Sequence, residues 1–253
     1  MTSRQRPRPW RAGVIAAGRG ERLQDGRPRL KPLVPVGGLT LVERVLSSLG
    51  EAEPAEVVII VNEASIAVKD HVSSRSWPFT LRWIVETTPS SMHSFLRVVE
   101  TLAADGDSGP FLLSTVDTVA LPGAFGAFAE ASRESDADVT LAIIPTPDDD
   151  KPLLVGVRHP FDPNRATALN VDTIGTEAAG SPWATAGYYA VRASVLREAD
   201  EARRDGVTAL RAFLGRLLAR GFRINAVPVA PGIDVDRPSD IHAAEAFLKQ
   251  VGV

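Results

Sequence analysis

The 253-residue chain contains no cysteine. Disulfides, thiolate metal sites and cysteine nucleophiles are excluded, and a cytoplasmic location is the expectation. Strong charge of one sign is also lacking: 28 Lys and Arg stand against 31 Asp and Glu. Such a balance gives no general attraction to nucleic acid or to an anionic membrane, so neither is an expected partner and any anion site has to be built locally. No apolar run approaches a membrane span. The start "MTSRQRPRPWRAGVIAAG" holds one short apolar stretch broken by glycine and does not read as a signal peptide. Four histidines, His71, His93, His159 and His242, are scattered and suggest no metal cluster or triad, and no G-x-S-x-G elbow occurs, so nucleophilic hydrolysis is not expected.

What is present is an alternation of short β-rich runs and amphipathic segments. Residues 1–10 read as a flexible basic tail. Strands are expected at Ala12–Ala16, Glu56–Val61, Leu81–Glu86, Phe111–Val116 and Val139–Ile144, whose nearly unbroken apolar character marks strands covered on both faces. Between them, "TLVERVLSSLG" reads as a helix with Thr40 as N-cap and Gly50 as its stop, and "SSMHSFLRVVETL" as a helix behind Ser90 or Ser91. The second half is less regular. Strands are expected in "LLVGVR", "ATALNV", "AGYYAV" and "RINAVPV", with helices near Thr208–Arg220 and Ser239–Val251. The pattern implies an α/β fold with a parallel sheet and helices on both faces, doubly wound and carrying a β insertion in its second half. We expect one domain over residues 11–253, with halves of about 11–144 and 151–253 joined by the loop "PTPDDDKP".

The loop after the first strand, "AAGRGERLQDGRPRLKPLVPVGG", fits neither familiar phosphate loop. A dinucleotide fingerprint needs a third glycine where Leu23 stands and an acidic strand end about 20 residues on, and no G-x-x-x-x-G-K-S/T occurs. Gly18 and Gly20 nevertheless allow close approach of backbone N–H groups to an anion, and Arg22 and Lys31 add fixed positive charge beside them. A loop in this position lies at the carboxyl edge of a parallel sheet, where such folds bind ligands.

Ala16-Ala17-Gly18-Arg19-Gly20-Glu21-Arg22, then Lys31-Pro32-Leu33, then Val36-Gly37-Gly38 and Leu41, resembles the signature of the sugar-phosphate and MobA-like nucleotidyltransferases, A-A-G-x-G-x-R, K-P-L and V-x-G-x-x-L. The resemblance implies that Ala16, Ala17, Gly18, Arg19 and Gly20 hold the nucleotide, that Arg22 binds the β- and γ-phosphates of an NTP, and that Lys31 bridges the α-phosphate and the acceptor phosphate. It also implies a Rossmann-like three-layer α/β/α fold with a predominantly parallel mixed sheet, the nucleotide-diphospho-sugar transferase fold, in which residues of about 11–144 bind the nucleotide and those of about 151–253 the acceptor. A divalent metal, Mg2+ or Mn2+, on two aspartates is implied as well. Asp117, after the apolar run "FLLSTV", takes the first place. In "PGIDVDRPSDIHAAEAFL", Asp234 takes the second, Asp236 stands in reserve, and Asp240 is left to the first turn of the last helix after Ser239.

The base and acceptor sides depart from the sugar enzymes of that family. Q-x-x-x-G-T-A is missing, and "ETTPSSMHSFLRV" is closer to the serine-rich turn of cytidylyltransferases, which makes Ser91 and Ser94 the expected base-side contacts; His93 either faces the nucleotide or is an ordinary residue of the helix's first turn, the second being favoured. E-K-P is missing too, while Ala186-Gly187-Tyr188 survives behind Thr185. Asn170, Asp172, Trp183, Thr185 and Lys151 are candidates for the acceptor pocket, each with a structural alternative. The resemblance therefore implies transfer of a nucleotidyl group from an NTP to a phosphorylated sugar or alcohol, with release of pyrophosphate. Two alternatives stay open: a molybdenum-cofactor guanylyl- or cytidylyltransferase, and a catalytically degenerate homologue that senses nucleotides. A homo-oligomer is compatible with all three.

Overall fold

The computed structural model describes residues 8–18, 20, 23, 30–147, 152–158 and 168–252. Most of the basic tail, and the expectations for Arg19, Arg22, Lys151 and His159, lie outside the described residues. The end of that tail is not flexible as expected: Trp10 is 3% exposed in the core, and its carbonyl accepts from the Ala55 N–H at 2.8 Å. In chain order the elements are β1 (Arg11–Ile15), β2 (Pro35–Val36), β3 (Leu39–Thr40), α1 (Leu41–Gly50), β4 (Glu56–Val61), α2 (Ile66–Ser73), β5 (Thr80–Val85), α3 (Ser91–Ala103), β6 (Phe111–Thr115), β7 (Thr118–Val119), α4 (Ala124–Arg133), β8 (Val139–Pro145), β9 (Val155–Val157), β10 (Leu169–Ile174), β11 (Trp183–Val191), α5 (Ala199–Arg204), α6 (Leu210–Ala219), β12 (Ile224–Pro228), β13 (Ile233–Asp234) and α7 (Pro238–Gln250).

Nine strands form one sheet in the order β5-β4-β1-β6-β11-β8-β12-β10-β9. The pairings make seven strands run one way, with β11 and β10 opposed. The sheet is thus mixed and predominantly parallel. Its alternating strand faces separate two cores. On one side Ile60, Phe95, Phe111, Leu141, Val191 and Phe213 pack with α3 and α6. On the other, Val14, Leu46, Ile59, Phe125, Phe128 and Tyr188 pack with α1 and α4. Each large side chain so buried contributes roughly 1.5–3 kcal/mol.

Two helix boundaries differ from expectation. Gly50 is the last residue of α1 rather than its left-handed stop, and the left-handed conformation falls on Glu53, at φ 48°. At α7 the N-cap is Arg237 rather than Ser239, because Pro238 takes the first helical position, where a missing N–H costs nothing. The N-cap at Thr40 holds: its hydroxyl accepts from the Glu43 N–H while the Glu43 carboxylate accepts from the Thr40 N–H, a capping box. No helix among the described residues is long and apolar enough to cross a membrane.

Candidate functional site

Strand β1 delivers the chain to the carboxyl edge of the sheet, and the glycine loop begins there. Two bonds fix its root: the Ala16 N–H donates to the Ile60 carbonyl at 3.0 Å, and Asn62 Nδ2 donates to the Ala17 carbonyl at 3.0 Å. Asn62 is buried, and no sequence motif marks its part. A side chain at Gly18 would project into open space, whereas one at Gly20 would meet Lys31 Cβ at 2.6 Å; Gly20 also sits at φ 62°. The second glycine is therefore required by the lysine that packs on it. Leu23, the residue that breaks the dinucleotide pattern, is 1% exposed and joins Val34, Val36, Leu41, Val119, Val235, Ala244 and Leu248 in a third small core. It anchors the loop in apolar packing where a dinucleotide fold would place a glycine.

Lys31 opens a single 3-10 turn, Lys31–Leu33, that points it inward. Its Nζ lies 2.6 Å from Asp117 Oδ2 and 2.5 Å from Asp236 Oδ1, with the side chain 9% exposed. Burial opposes its charge, but the two carboxylates outweigh burial and hold the ammonium above the ordinary lysine value. Burial likewise works against the Asp117 charge, and Lys31 outweighs it to hold that carboxyl below its ordinary value.

The acidic residues come together through backbone pairing far apart in sequence. Strand β7 pairs antiparallel with β13, placing Thr118 opposite Asp234, and the Val235 N–H donates to the Asp117 carbonyl at 3.0 Å. Thr118 Oγ1 then donates to Asp234 Oδ1 at 3.0 Å. Asp234 stands exposed at the rim, yet crowding by protein, with the Asp117 charge added, pushes its carboxyl up to about 7. Asp240 accepts from the N–H groups of Asp236 at 2.9 Å and Arg237 at 2.7 Å, which fixes the turn that carries Asp236. Among the described residues no three acidic or histidine side chains form a ready-made metal cage. Hard carboxylate oxygens on Asp117 and Asp234, one of them under electrostatic strain, suit a divalent cation that takes the rest of its ligands from phosphates and water.

Strand β11 closes the floor. Its register with β8 slips between Thr185 and Tyr189, and Gly187 sits in the slip at φ 79°. A Cβ on Gly187 would collide with Thr118 Oγ1 and lie 3.0 Å from Thr115 Oγ1, so only glycine lets β11 lie under the acidic turn. Tyr188 turns away and stacks on Phe125 at 4.3 Å in the core. Tyr189, which sequence reasoning passed over, is buried on β11 opposite Leu141 of β8. Burial, followed by the charges of Asp234 and Asp117, drives its phenol above the ordinary tyrosine value.

The expected base-side serines are engaged within the protein. Ser91 Oγ accepts from the Leu210 N–H at 3.0 Å and so ties α3 to the start of α6. Ser94 is 3% exposed, with its Oγ 2.6 Å from Thr88 Oγ1. His93 Nδ1 lies 2.8 Å from Ser90 Oγ in the first turn of α3. On the acceptor side, Asn170 and Asp172 are exposed on β10, while Trp183 and Thr185 are half-buried on β11.

A family model described as a MobA-like NTP transferase domain matches residues 12–217, from β1 through the glycine loop, Lys31 and Asp117 into α6 and short of Asp234 and Asp236. The chain belongs to the MobA-like NTP transferase domain family. The transferase domain is 30% identical over 144 residues to the bifunctional protein GlmU of Thermobifida fusca, covering 56% of this chain. It is 46% identical over 70 residues to a bifunctional IPC transferase and DIPP synthase of Rubrobacter xylanophilus, covering 26% of this chain. The chain spans only 29% and 15% of the lengths of those two relatives. Among solved structures, the inositol-1-phosphate CTP transferase from T. maritima superposes with a TM-score of 0.74 at 17% identity, over 96% of this chain and 97% of that one. A glucose-1-phosphate thymidylyltransferase from Bacillus anthracis, itself named as putative, gives 0.76 at 16% identity, over 96% and 97%. These likenesses establish the nucleotidyltransferase fold.

Proposed function

We propose that the transferase domain moves a nucleotidyl group from an NTP to a phosphorylated sugar or polyol, forming a nucleoside-diphosphate product and pyrophosphate. The convergence of Lys31, Asp117 and Asp234 beside Gly18 and Gly20, at the carboxyl edge of the sheet, carries this reading. In this scheme residues of about 11–144 hold the nucleotide and those of about 151–253 the acceptor.

An oxygen of the acceptor phosphate attacks the α-phosphorus of the NTP, a new P–O bond forms, and the bond from the α-phosphorus to the bridging oxygen breaks to release pyrophosphate. Such transfers need positioning and charge neutralisation more than covalent help. Backbone from Ala16 to Gly20 receives the nucleotide, and Arg22 the outer phosphates. Lys31 neutralises charge on the α-phosphate and orients the attacking phosphate. Asp117 and Asp234 would hold Mg2+ or Mn2+, which supplies further neutralisation when bound. Tyr189 and Gly187 keep the floor closed to bulk solvent. The acceptor contacts are assigned to Thr185 and Trp183, which lie on the strand that passes beneath the acidic turn.

The test is pyrophosphate release by purified protein with Mg2+, each NTP and a panel of phosphorylated acceptors. The pair of CTP and inositol-1-phosphate comes first because a structural neighbour is named for it. At least one pair should turn over, and silence across the whole panel sinks the proposal. Lys31→Ala should lower kcat by roughly 100- to 1000-fold, the scale on which lost transition-state donors act, with a much smaller change in nucleotide affinity.

A further inference from the structure

We propose that Asp236 is a positioning residue: it holds Lys31 on Asp117 in the metal-free protein, so that the ammonium is the resident cation of the carboxylate cluster and a divalent cation has to displace it. This inference rests on the reading of Asp117 as a metal carboxylate given above.

Three observations carry it. First, Lys31 is shared between two carboxylates at 2.6 and 2.5 Å, and its side chain is almost wholly enclosed. An ammonium so placed occupies Asp117 Oδ2, one of the two oxygens of that carboxylate, and its charge opposes a divalent cation settling beside it. Second, both carboxylates are fixed by backbone. The Val235 N–H on the Asp117 carbonyl sets the separation of the two segments, and the Asp236 N–H on the Asp240 carboxylate sets the turn. The clamp is therefore built into the fold of the 233–240 segment. Third, Lys31 stands on a rigid turn with Pro32 next to it and Gly20 packed on its Cβ. Its stem has little freedom, so leaving Asp117 is a movement of the tip alone, towards the triphosphate proposed to lie on the glycine loop. Cation loading and lysine release thereby become one exchange, and the lysine is delivered to the phosphates only after the carboxylates have another partner.

The test follows Lys31 directly. Reductive methylation read by peptide mass spectrometry should leave Lys31 protected in the metal-free protein, with the exposed Lys249 as the internal reference. Added Mn2+ should make Lys31 label, and Asp236→Asn should make it label without Mn2+ while circular dichroism stays unchanged. In parallel, Mn2+ binding read by electron paramagnetic resonance should tighten about tenfold or more in Lys31→Met, because a competing positive charge is gone. Lys31→Arg, which keeps the charge, should bind Mn2+ as weakly as the wild type. Free labelling of Lys31 in the metal-free wild type, protection that persists in a folded Asp236→Asn, or unchanged Mn2+ affinity in Lys31→Met overturns the proposal. None of these readouts needs turnover, so a chain that exchanges its lysine for Mn2+ but makes no pyrophosphate would separate this inference from the proposed reaction.

Discussion

At Gly187 the space under the acidic turn is set by the absence of a side chain. An alanine there would take a φ of 79° that L residues rarely adopt, and its Cβ would push on Thr118, the residue that donates to Asp234. We expect Gly187→Ala to cost about 1–3 kcal/mol in stability and to loosen the Asp234 arrangement, read as a weaker Mn2+ titration. A variant that melts and titrates like the wild type would show that the β11 slip plays no part in shaping the site. The sequence showed the glycine as part of a surviving A-G-Y stretch but could not show its reason. That reason is a contact with a residue 69 positions upstream, brought close by the β6–β11 pairing. Leu23 gives the opposite lesson. Its place in the pattern was legible as a missing glycine, and only the packing with Val235 and Leu248 shows it to be an anchor.

Among the elements, α1 carries the clearest local logic. Thr40 and Glu43 form its capping box, and Glu43 is 2% exposed. The same carboxylate binds Arg75 Nε at 2.5 Å and His71 Nε2 at 3.0 Å, which fastens α2 to the start of α1. Burial works to raise the Glu43 value, but the Thr40 bonds and Arg75 outweigh it and hold the carboxyl below its ordinary 4.5. A depressed carboxyl stabilises the fold above the unfolded value, and that contribution is lost as pH falls through the native one. Glu43→Gln should therefore cost about 1–3 kcal/mol near neutrality and should flatten the loss of stability on the acid side of 4.5. Urea midpoints measured for both proteins from neutral to acid pH decide this, and parallel curves would remove Glu43 from the acid response. Periodicity marked α1 and α3 in advance because each has an apolar stripe, with Leu41, Val45 and Leu49 on one and Met92, Phe95, Val99 and Leu102 on the other. The two-residue strands β2, β3, β7 and β13 carry no such signal. They are too short for alternation to register, yet β7 and β13 are what bring Asp117 and Asp234 together.

At the scale of the molecule, the order of strands interleaves the two proposed halves. β11 and β12 come from the acceptor half, yet they are the two neighbours of β8, and β11 also borders β6, from the nucleotide half. Composition and alternation gave the class of fold, because buried parallel strands read as apolar runs. They could not give this insertion, since the position of β11 depends on which edges remain unpaired after the first strands have assembled. An interleaved sheet of this kind cannot lose one half without leaving β6 and β8 with open edges and much of both cores uncovered. Unfolding should therefore be a single cooperative event. Indole fluorescence reports on both halves, from Trp77 and Trp83 on one side and Trp183 on the other, with Trp10 packed in the core beside the first. Its urea midpoint should coincide with that of far-UV circular dichroism. Nucleotide together with Mg2+ should move both midpoints upward by the same amount, because binding to the native state stabilises every element coupled to it. Two separated transitions, or a ligand shift confined to one probe, would mean that the halves unfold as independent units and that the β11 insertion does not bind them into one.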